Sequence, residues 1–151
     1  MPGLLRISIA AAAAALGGLV ALTATVAFGD GIAPGLWRII SRTETGGVIG
    51  PPHESSRCLT AEQAQNVAAT FAPPSVVANS SCGPAEHSLN GQKLTWRVTC
   101  KGQTDMEQTG EFMFDSPHHY TATMHTRATV SGTTMIDSQD ILEGQWVSEC
   151  R

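Results

Sequence analysis

The sequence lacks the short motifs by which many enzyme sites are recognised. It contains neither G-x-S-x-G nor H-E-x-x-H, which excludes the usual nucleophile elbow and the usual zinc-peptidase helix. Its paired glycines, Gly46 and Gly47, run into Pro51 and Pro52 instead of opening a helix, so they do not form a phosphate-binding loop. The acidic residues are scattered along the chain. These absences favour a protein that is not an enzyme.

Basic residues are also scarce. The 151 residues include 9 Lys and Arg against 13 Asp and Glu, for a net charge of −4 with neutral His. The basic residues form no cluster, so the sequence has no electrostatic footprint for nucleic acid or for an anionic membrane surface. We therefore expect a monomer whose partner is a small molecule or a protein.

Charge is nearly absent from residues 1–27, where Arg6 is the only charged side chain. A basic start, an apolar run and the small residues Thr25 and Ala27 before Phe28 are typical of a secretory signal peptide. The apolar run is long enough to span a bilayer, so an uncleaved membrane anchor is the alternative. Its content of Ala, Gly and Thr favours removal, and we expect a periplasmic or secreted protein.

The remaining residues, 28–151, are enough for one small domain. This part has 8 basic and 13 acidic residues, a net charge of −5, and it holds all the cysteines: Cys58, Cys82, Cys100 and Cys150. An even number of cysteines in an exported chain predicts two disulfides. There is no Cys-x-x-Cys, and the spacings of 24, 18 and 50 residues exclude a four-thiolate zinc site.

Four cysteines allow three pairings. We predict Cys58–Cys82, which would tether the helical segment to the sheet, and Cys100–Cys150, which would tie a central strand to the C-terminus. Direct pairing of Cys82 with Cys100 is the alternative. A two-residue Asn-Gly turn at residues 90–91 disfavours it, because the resulting hairpin register puts these two cysteines on opposite faces.

One helix is predicted, from Ala61 to Phe71. Thr60 is its N-cap and Gln63 completes a capping box. Pro73 and Pro74 end it.

The other segments alternate with a period of two, which is typical of strands. In LTWRVTC the residues Leu94, Trp96, Val98 and Cys100 share one face. Turn signals between such segments favour an antiparallel meander, either a curved sheet or a partial barrel, with one short helix packed on it. We expect a turn at residues 131–132, a bulge or break at Gly144, and a long exposed loop from Thr45 to Arg57.

The stretch HHYTATMH, residues 118–125, has the composition of a metal site. On a strand, however, Tyr120 and Met124 point to one face, while His119 and His125 point to the other. These two histidines lie about 20 Å apart along an extended strand, too far to hold one ion. A weaker hypothesis combines His118 and His119 with a distant histidine, either His53 or His87.

Trp37, Trp96 and Tyr120 are the candidate ligand-binding residues. A cupped sheet with aromatic walls could enclose a small apolar ligand. The alternation of Trp96 with Leu94 and Val98 favours simple core packing instead.

The segments PGLWRIISRTE, CLTAEQA, FAPP, LTWRVTC and GEFMFDSPHHYTATM, with the final cysteine, resemble the DUF3617 family of small exported bacterial proteins. The resemblance runs from Pro34 to Cys150 and implies an exported, disulfide-bonded, mainly β domain without known catalytic residues. Many members carry a Met-rich Gly/Pro loop before the first cysteine, which suggests copper. Here that loop, Thr45–Arg57, has no Met and only His53, which weakens the suggestion.

We therefore expect an exported, non-enzymatic accessory or binding domain without a cofactor. Its expected working surfaces are the Thr45–Arg57 loop and the Thr/His/Arg face around His125. The alternative is a protein that handles copper or zinc through His53, His118, His119 and Met residues.

Overall fold

The computed structural model describes residues 31–72 and 77–151. The predicted signal peptide, its cleavage position before Phe28 and the two prolines expected to end the helix lie outside these ranges. The described chain forms β1 (Gly35–Thr45), β2 (Val48–Ile49), β3 (His53–Leu59), α1 (Ala61–Gln65), α2 (Val67–Phe71), β4 (Ser80–Cys82), β5 (Glu86–Asn90), β6 (Lys93–Gly102), β7 (Thr104–Ser116), β8 (His119–Val130) and β9 (Thr133–Ser148). Within these ranges no helix has the length and hydropathy needed to cross a membrane.

The strands form one open antiparallel sheet in the order β2-β1-β9-β8-β7-β6-β4. β3 also pairs with β1, and β5 also pairs with β6, so each edge of the sheet is built from two short strands in succession. From β5 to β9 each strand pairs with the next one along the chain, which is a meander. The predicted mainly β fold with an antiparallel meander is therefore confirmed.

Tight turns follow the glycine pattern of the sequence. Ser131 and Gly132 have φ values of 51° and 79° between β8 and β9, the pattern of a type I′ hairpin turn. This confirms the predicted turn at residues 131–132. Gly91 alone has a positive φ, 58°, in the turn between β5 and β6. That turn is formed by residues 91–92, one position later than predicted.

The predicted loop from Thr45 to Arg57 is wrong, because most of this segment forms β2 and β3. Gly46-Gly47 makes a hairpin turn that returns the chain along β1. The segment 50–52, with its two prolines, only interrupts this returning strand and shifts its register by one residue. Prolines are tolerated there because the strand lies at the sheet edge, where its outward N–H groups have no neighbour to bond.

The hydrophobic core lies on one face of the sheet, called the inner face. Phe71 of α2 lies in the middle of its aromatic side chains, with ring centroids 5.1 Å from Phe112, 5.4 Å from Phe114 and 5.2 Å from Tyr120. The central buried set is Trp37, Leu94, Trp96, Val98, Cys100, Phe112, Phe114, Tyr120 and Ala122. The predicted inward face of the LTWRVTC strand is thus confirmed.

The predicted helix forms as two five-residue helices. The capping box is present, with the Gln63 amide donating to Thr60 Oγ1 at 3.2 Å and the Thr60 amide donating to Gln63 Oε1 at 3.0 Å. Asn66 then leaves helical geometry, and its side-chain oxygen accepts a hydrogen bond from the Ala69 amide at 3.3 Å. A short polar side chain that binds nearby backbone groups competes with the helix, which explains the break.

Two glycines on the inner face make room for aromatic rings. Gly110 lies directly opposite Trp96, and a Cβ there would come within 2.3 Å of the indole. Gly144 lies opposite Tyr120, and a Cβ would come within 2.1 Å of the phenol ring. The predicted bulge or break at Gly144 is therefore wrong. β9 continues through it, because the missing side chain serves ring packing.

Both disulfides form, but the predicted pairing is wrong. The bonds join Cys58 with Cys150 and Cys82 with Cys100, the latter being the alternative that the sequence disfavoured. A one-residue change of register between β5 and β4, across residues 83–85, puts Cys82 directly opposite Cys100. β1 pairs with both β3 and β9, which brings Cys58 near the C-terminal cysteine.

Candidate functional site on the outer face

The face of the sheet opposite the core, called the outer face, carries mostly polar and charged side chains. Directly opposed residues on paired strands point to the same side, so the strand registers assign each side chain to a face. The outer face consists of alternate residues of β1, β3 and β6 to β9. His119 and His125 lie on it, as the sequence predicts, and Met124 packs against the core.

A shallow groove of about 250 Å³ crosses the middle of the outer face. Its side chains come from four neighbouring strands: Ile40 and Arg42 of β1, Ile141 and Glu143 of β9, Thr121 and Thr123 of β8, and Glu111 and Met113 of β7. Met113 is 38% exposed and Ile141 is 40% exposed. Apolar side chains therefore reach solvent at the centre of a polar face.

The cations of β6 and β8 on the outer face are paired with acids. The pairs are Lys93–Glu111 at 2.8 Å, Arg97–Glu107 at 2.5 Å, Lys101–Asp105 at 2.8 Å and Arg127–Asp137 at 3.4 Å. Exposed pairs of this kind each contribute about 0–1 kcal/mol to folding. Their main effect is to neutralise charge on this part of the face.

The cations of β1 differ from these. Arg38 and Arg42 are exposed, and neither forms an ion pair within residues 31–72 and 77–151. They lie on the same face, about 13 Å apart along the strand, with Ile40 between them. Guanidinium groups bind carboxylates through two parallel hydrogen bonds, so these arginines are available to an external anionic group.

His119 lies between two carboxylates at one side of the groove. Its Nδ1 is 2.8 Å from both Asp115 oxygens, and its Nε2 is 3.3 Å from Glu143 Oε1. Ionised carboxylates only accept hydrogen bonds, so the doubly protonated imidazolium satisfies both contacts. The hydrogen bond to Asp115, helped by Glu143 and opposed by partial burial, raises the pKa of His119 above its ordinary value. In its protonated form His119 joins β7, β8 and β9.

The candidate metal ligands are dispersed. β1 and β9 lie between His53 on β3 and His119 on β8, so their strands are about 14 Å apart across the sheet, and the two residues are also three positions apart along it. His118 lies in the β7–β8 turn, where its ring packs edge-on against Trp146 at 5.1 Å. Among the described residues no group of three His, Cys, Asp or Glu side chains has the arrangement of a metal site.

The candidate ligand-binding residues lie in the core. The Trp37 indole N–H donates to the Ala33 carbonyl at 3.0 Å, and the ring lies 5.5 Å from that of Tyr120. Burial raises the pKa of Tyr120 to about 12. Trp96 is 3% exposed and lies over Gly110. The three side chains and Phe71 belong to one buried core cluster.

The family profile "Protein of unknown function (DUF3617)" matches residues 32–150, which include every described strand. The chain belongs to the DUF3617 family. This confirms the resemblance seen in the sequence. Neither a curated protein nor a solved structure matches this DUF3617 chain.

Sequence reasoning did not find the groove, although it identified the face around His125. The groove joins Ile40, Met113 and Ile141, which are far apart in the sequence. Each lies between two polar or charged residues on the outward side of its own strand. The only sequence signal is therefore this interruption of the alternation, and it gains meaning once the order β1-β9-β8-β7 is known.

Proposed function

We propose that this DUF3617 domain is an exported, non-enzymatic binding domain that docks a protein partner on its outer face. The observation that carries the proposal is the groove, where Met113 and Ile141 are exposed beside the unpaired Arg42. An apolar centre with charged groups at its edge is the usual layout of a protein interface.

The size of the groove favours a protein over a small molecule. Ligand pockets are commonly about 300–1,000 Å³ and bury most of their ligand. An open groove of about 250 Å³ can receive one or two side chains from a partner's surface, but it does not enclose a drug-sized molecule.

Export is supported by the two disulfides and by the charge pattern of residues 1–27. Disulfides persist in oxidising compartments and are rare in the cytosol of mesophiles. A small domain with both of its cysteine pairs oxidised fits the periplasm or the extracellular space.

The test is crosslinking in the native cell envelope, followed by native mass spectrometry of the purified protein. The wild-type domain is expected to carry a protein partner that Ile141→Lys loses. Val147→Lys is the matched control, because Val147 is 51% exposed on β9 and lies outside the groove. A wild-type domain that retains a metal ion or a small molecule and no protein would contradict the proposal. So would a partner that survives Ile141→Lys.

A further inference from the structure

The charges on the outer face form a pattern that reverses sign across the sheet. On β1 the outward residues read Arg38, Ile40, Arg42, and on β7 they read Glu111, Met113, Asp115. Each strand thus has an apolar side chain between two like charges, and the two strands have opposite charge. Two strands, β9 and β8, lie between them.

The strand registers, together with the hydrogen bond that joins Asp115 to His119 across the irregular end of β7, arrange these residues in three rows across the face. The first row is Glu111, Thr123, Ile141, Arg42. The second row is Lys93, Met113, Thr121, Glu143, Ile40, Glu54. The third row has Asp115 and His119 at one end, followed by Gln145 and Arg38. A line between β8 and β9 divides each row in two. The acids of β7 and the arginines of β1 lie on opposite sides of this line, and so do the apolar side chains Met113 and Ile40.

We propose that the partner of this face is a second copy of the same chain, docked face to face about a two-fold axis along that line. The inference rests on the proposed function, since it names the partner of the same groove. The rotation places β1 of one copy over β7 of the other while keeping the rows in order. Such a contact is isologous, so each pair of residues occurs twice.

The rotation pairs opposite charges and apolar groups. Arg42 then faces Glu111 of the second copy, and Arg38 faces its Asp115. Ile40 faces Met113, so the apolar side chains of the two grooves meet. At the outer ends of the second row, Lys93 faces Glu54, an acid without an ion pair among the described residues.

No row brings like charges together. In the middle of the first row Thr123 faces Ile141, in the second Thr121 faces Glu143, and in the third His119 faces Gln145. Packed sheets cross at about 30° because each is twisted, so the match is best in these central rows. Like charges placed opposite each other across an interface cost affinity, and this arrangement avoids that cost.

The size of the patch predicts a weak dimer. Three rows span about 13 Å along the strands, and six strands span about 24 Å across them. This area is smaller than the roughly 800 Å² per partner of a stable complex. Within each copy Glu111 already pairs with Lys93, and Asp115 already pairs with His119. In the dimer each of these carboxylates would divide its hydrogen bonds between that neighbour and an arginine of the second copy. In place of the monomer expected from the sequence, we therefore expect a concentration-dependent dimer that dissociates as salt is raised.

The test uses two charge-reversal variants of the exported chain and sedimentation velocity at low salt. In Arg38→Glu/Arg42→Glu the outward charges of both β1 and β7 are acidic. In Glu111→Lys/Asp115→Lys the outward charges of both strands are basic. Each variant alone is expected to raise the dimer dissociation constant by more than about tenfold. Mixing the two variants is expected to restore association as heterodimers. The acidic β1 and β7 of one variant then face the basic β7 and β1 of the other.

Matched controls carry the same charge changes elsewhere on the outer face. The controls change β6 and β7 outside the three rows: Arg97→Glu/Lys101→Glu and Asp105→Lys/Glu107→Lys. At matched ionic strength both controls should dimerise as the wild type does. Restored association on mixing also shows that both reversed variants are folded.

A wild type that stays monomeric at several hundred micromolar and low salt would overturn the inference. Controls as impaired as the reversed variants, or variants that do not associate when mixed, would overturn it too. If envelope crosslinking still finds a different protein that Ile141→Lys loses, the proposed function stands and only its partner is another protein.

Discussion

The two faces of this sheet differ in what fixes their side chains. On the inner face, large residues pack against one another and against α2, and each is held by several neighbours at once. On the outer face, most contacts are single ion pairs or hydrogen bonds between exposed groups. The inner face therefore contributes most of the stability, while the side chains of the outer face are less constrained by packing.

Phe114 and Met113 allow the sharpest comparison, because they are neighbours on β7 and point to opposite faces. Phe114 is fully buried and Met113 is 38% exposed. Phe114→Ala is expected to lower the free energy of unfolding by about 3–5 kcal/mol, and Met113→Ala by less than about 1 kcal/mol. Urea unfolding measures both. Similar losses would contradict the division between the two faces.

The two disulfides should also behave differently. Cys58 and Cys150 are exposed, whereas Cys100 has no exposed surface. Mild reduction followed by alkylation and peptide mass spectrometry should label Cys58 and Cys150 first. Removing this bond with Cys58→Ser/Cys150→Ser should cost about 2–4 kcal/mol, because it closes a loop of 92 residues. Earlier labelling of Cys82 and Cys100 would show that the inner face opens more readily than its packing implies.

Gly144 tests how closely the inner face is packed. Gly144→Ala places a methyl group against the Tyr120 ring and is expected to cost about 1–3 kcal/mol. Gly83→Ala is the control, because a Cβ at Gly83 would meet only the Thr99 carbonyl oxygen, at 3.9 Å. Thermal unfolding of both variants should show a lowered midpoint for Gly144→Ala alone.

The smallest expected effect concerns His119. Its folded pKa is raised, so its contribution is fully present below the unfolded pKa and is lost as pH rises through the folded pKa. The side chain is 25% exposed, and we expect the contribution to be below about 1 kcal/mol. Urea unfolding at pH 6 and pH 8 should show a decrease in stability that His119→Gln reduces. An equal decrease in both proteins would show that this cluster adds no pH dependence.

The fold was largely predictable because its signals are local. The alternation around Trp96, the Thr60–Gln63 capping box and the Ser131–Gly132 turn each act within a few residues. The failures are also physical. Gly-Gly and Pro-Pro in Thr45–Arg57 break regular structure on their own, but here they bend an edge strand that stays paired. One shifted register at residues 83–85 changed the disulfide pairing.

The candidate site was predictable only in part. The side on which His119 and His125 lie follows from the period of a strand. The groove does not, because Ile40, Met113 and Ile141 come together through a strand order in which β9 lies beside β1. Alternation assigns a residue to a face, but it does not identify its neighbours on other strands.

The bond between Cys58 and Cys150 has a mechanical consequence. If the chain is pulled at its two ends, the tension passes from β3 directly through the sulfurs to the C-terminus. Residues 59–149 then carry no load. Among the described residues that precede the bond, 31–58 can extend, to a full length of about 90–100 Å. A force applied across this domain would peel off β1 to β3 and leave the meander folded, whereas under reducing conditions the same pull would unravel the whole sheet.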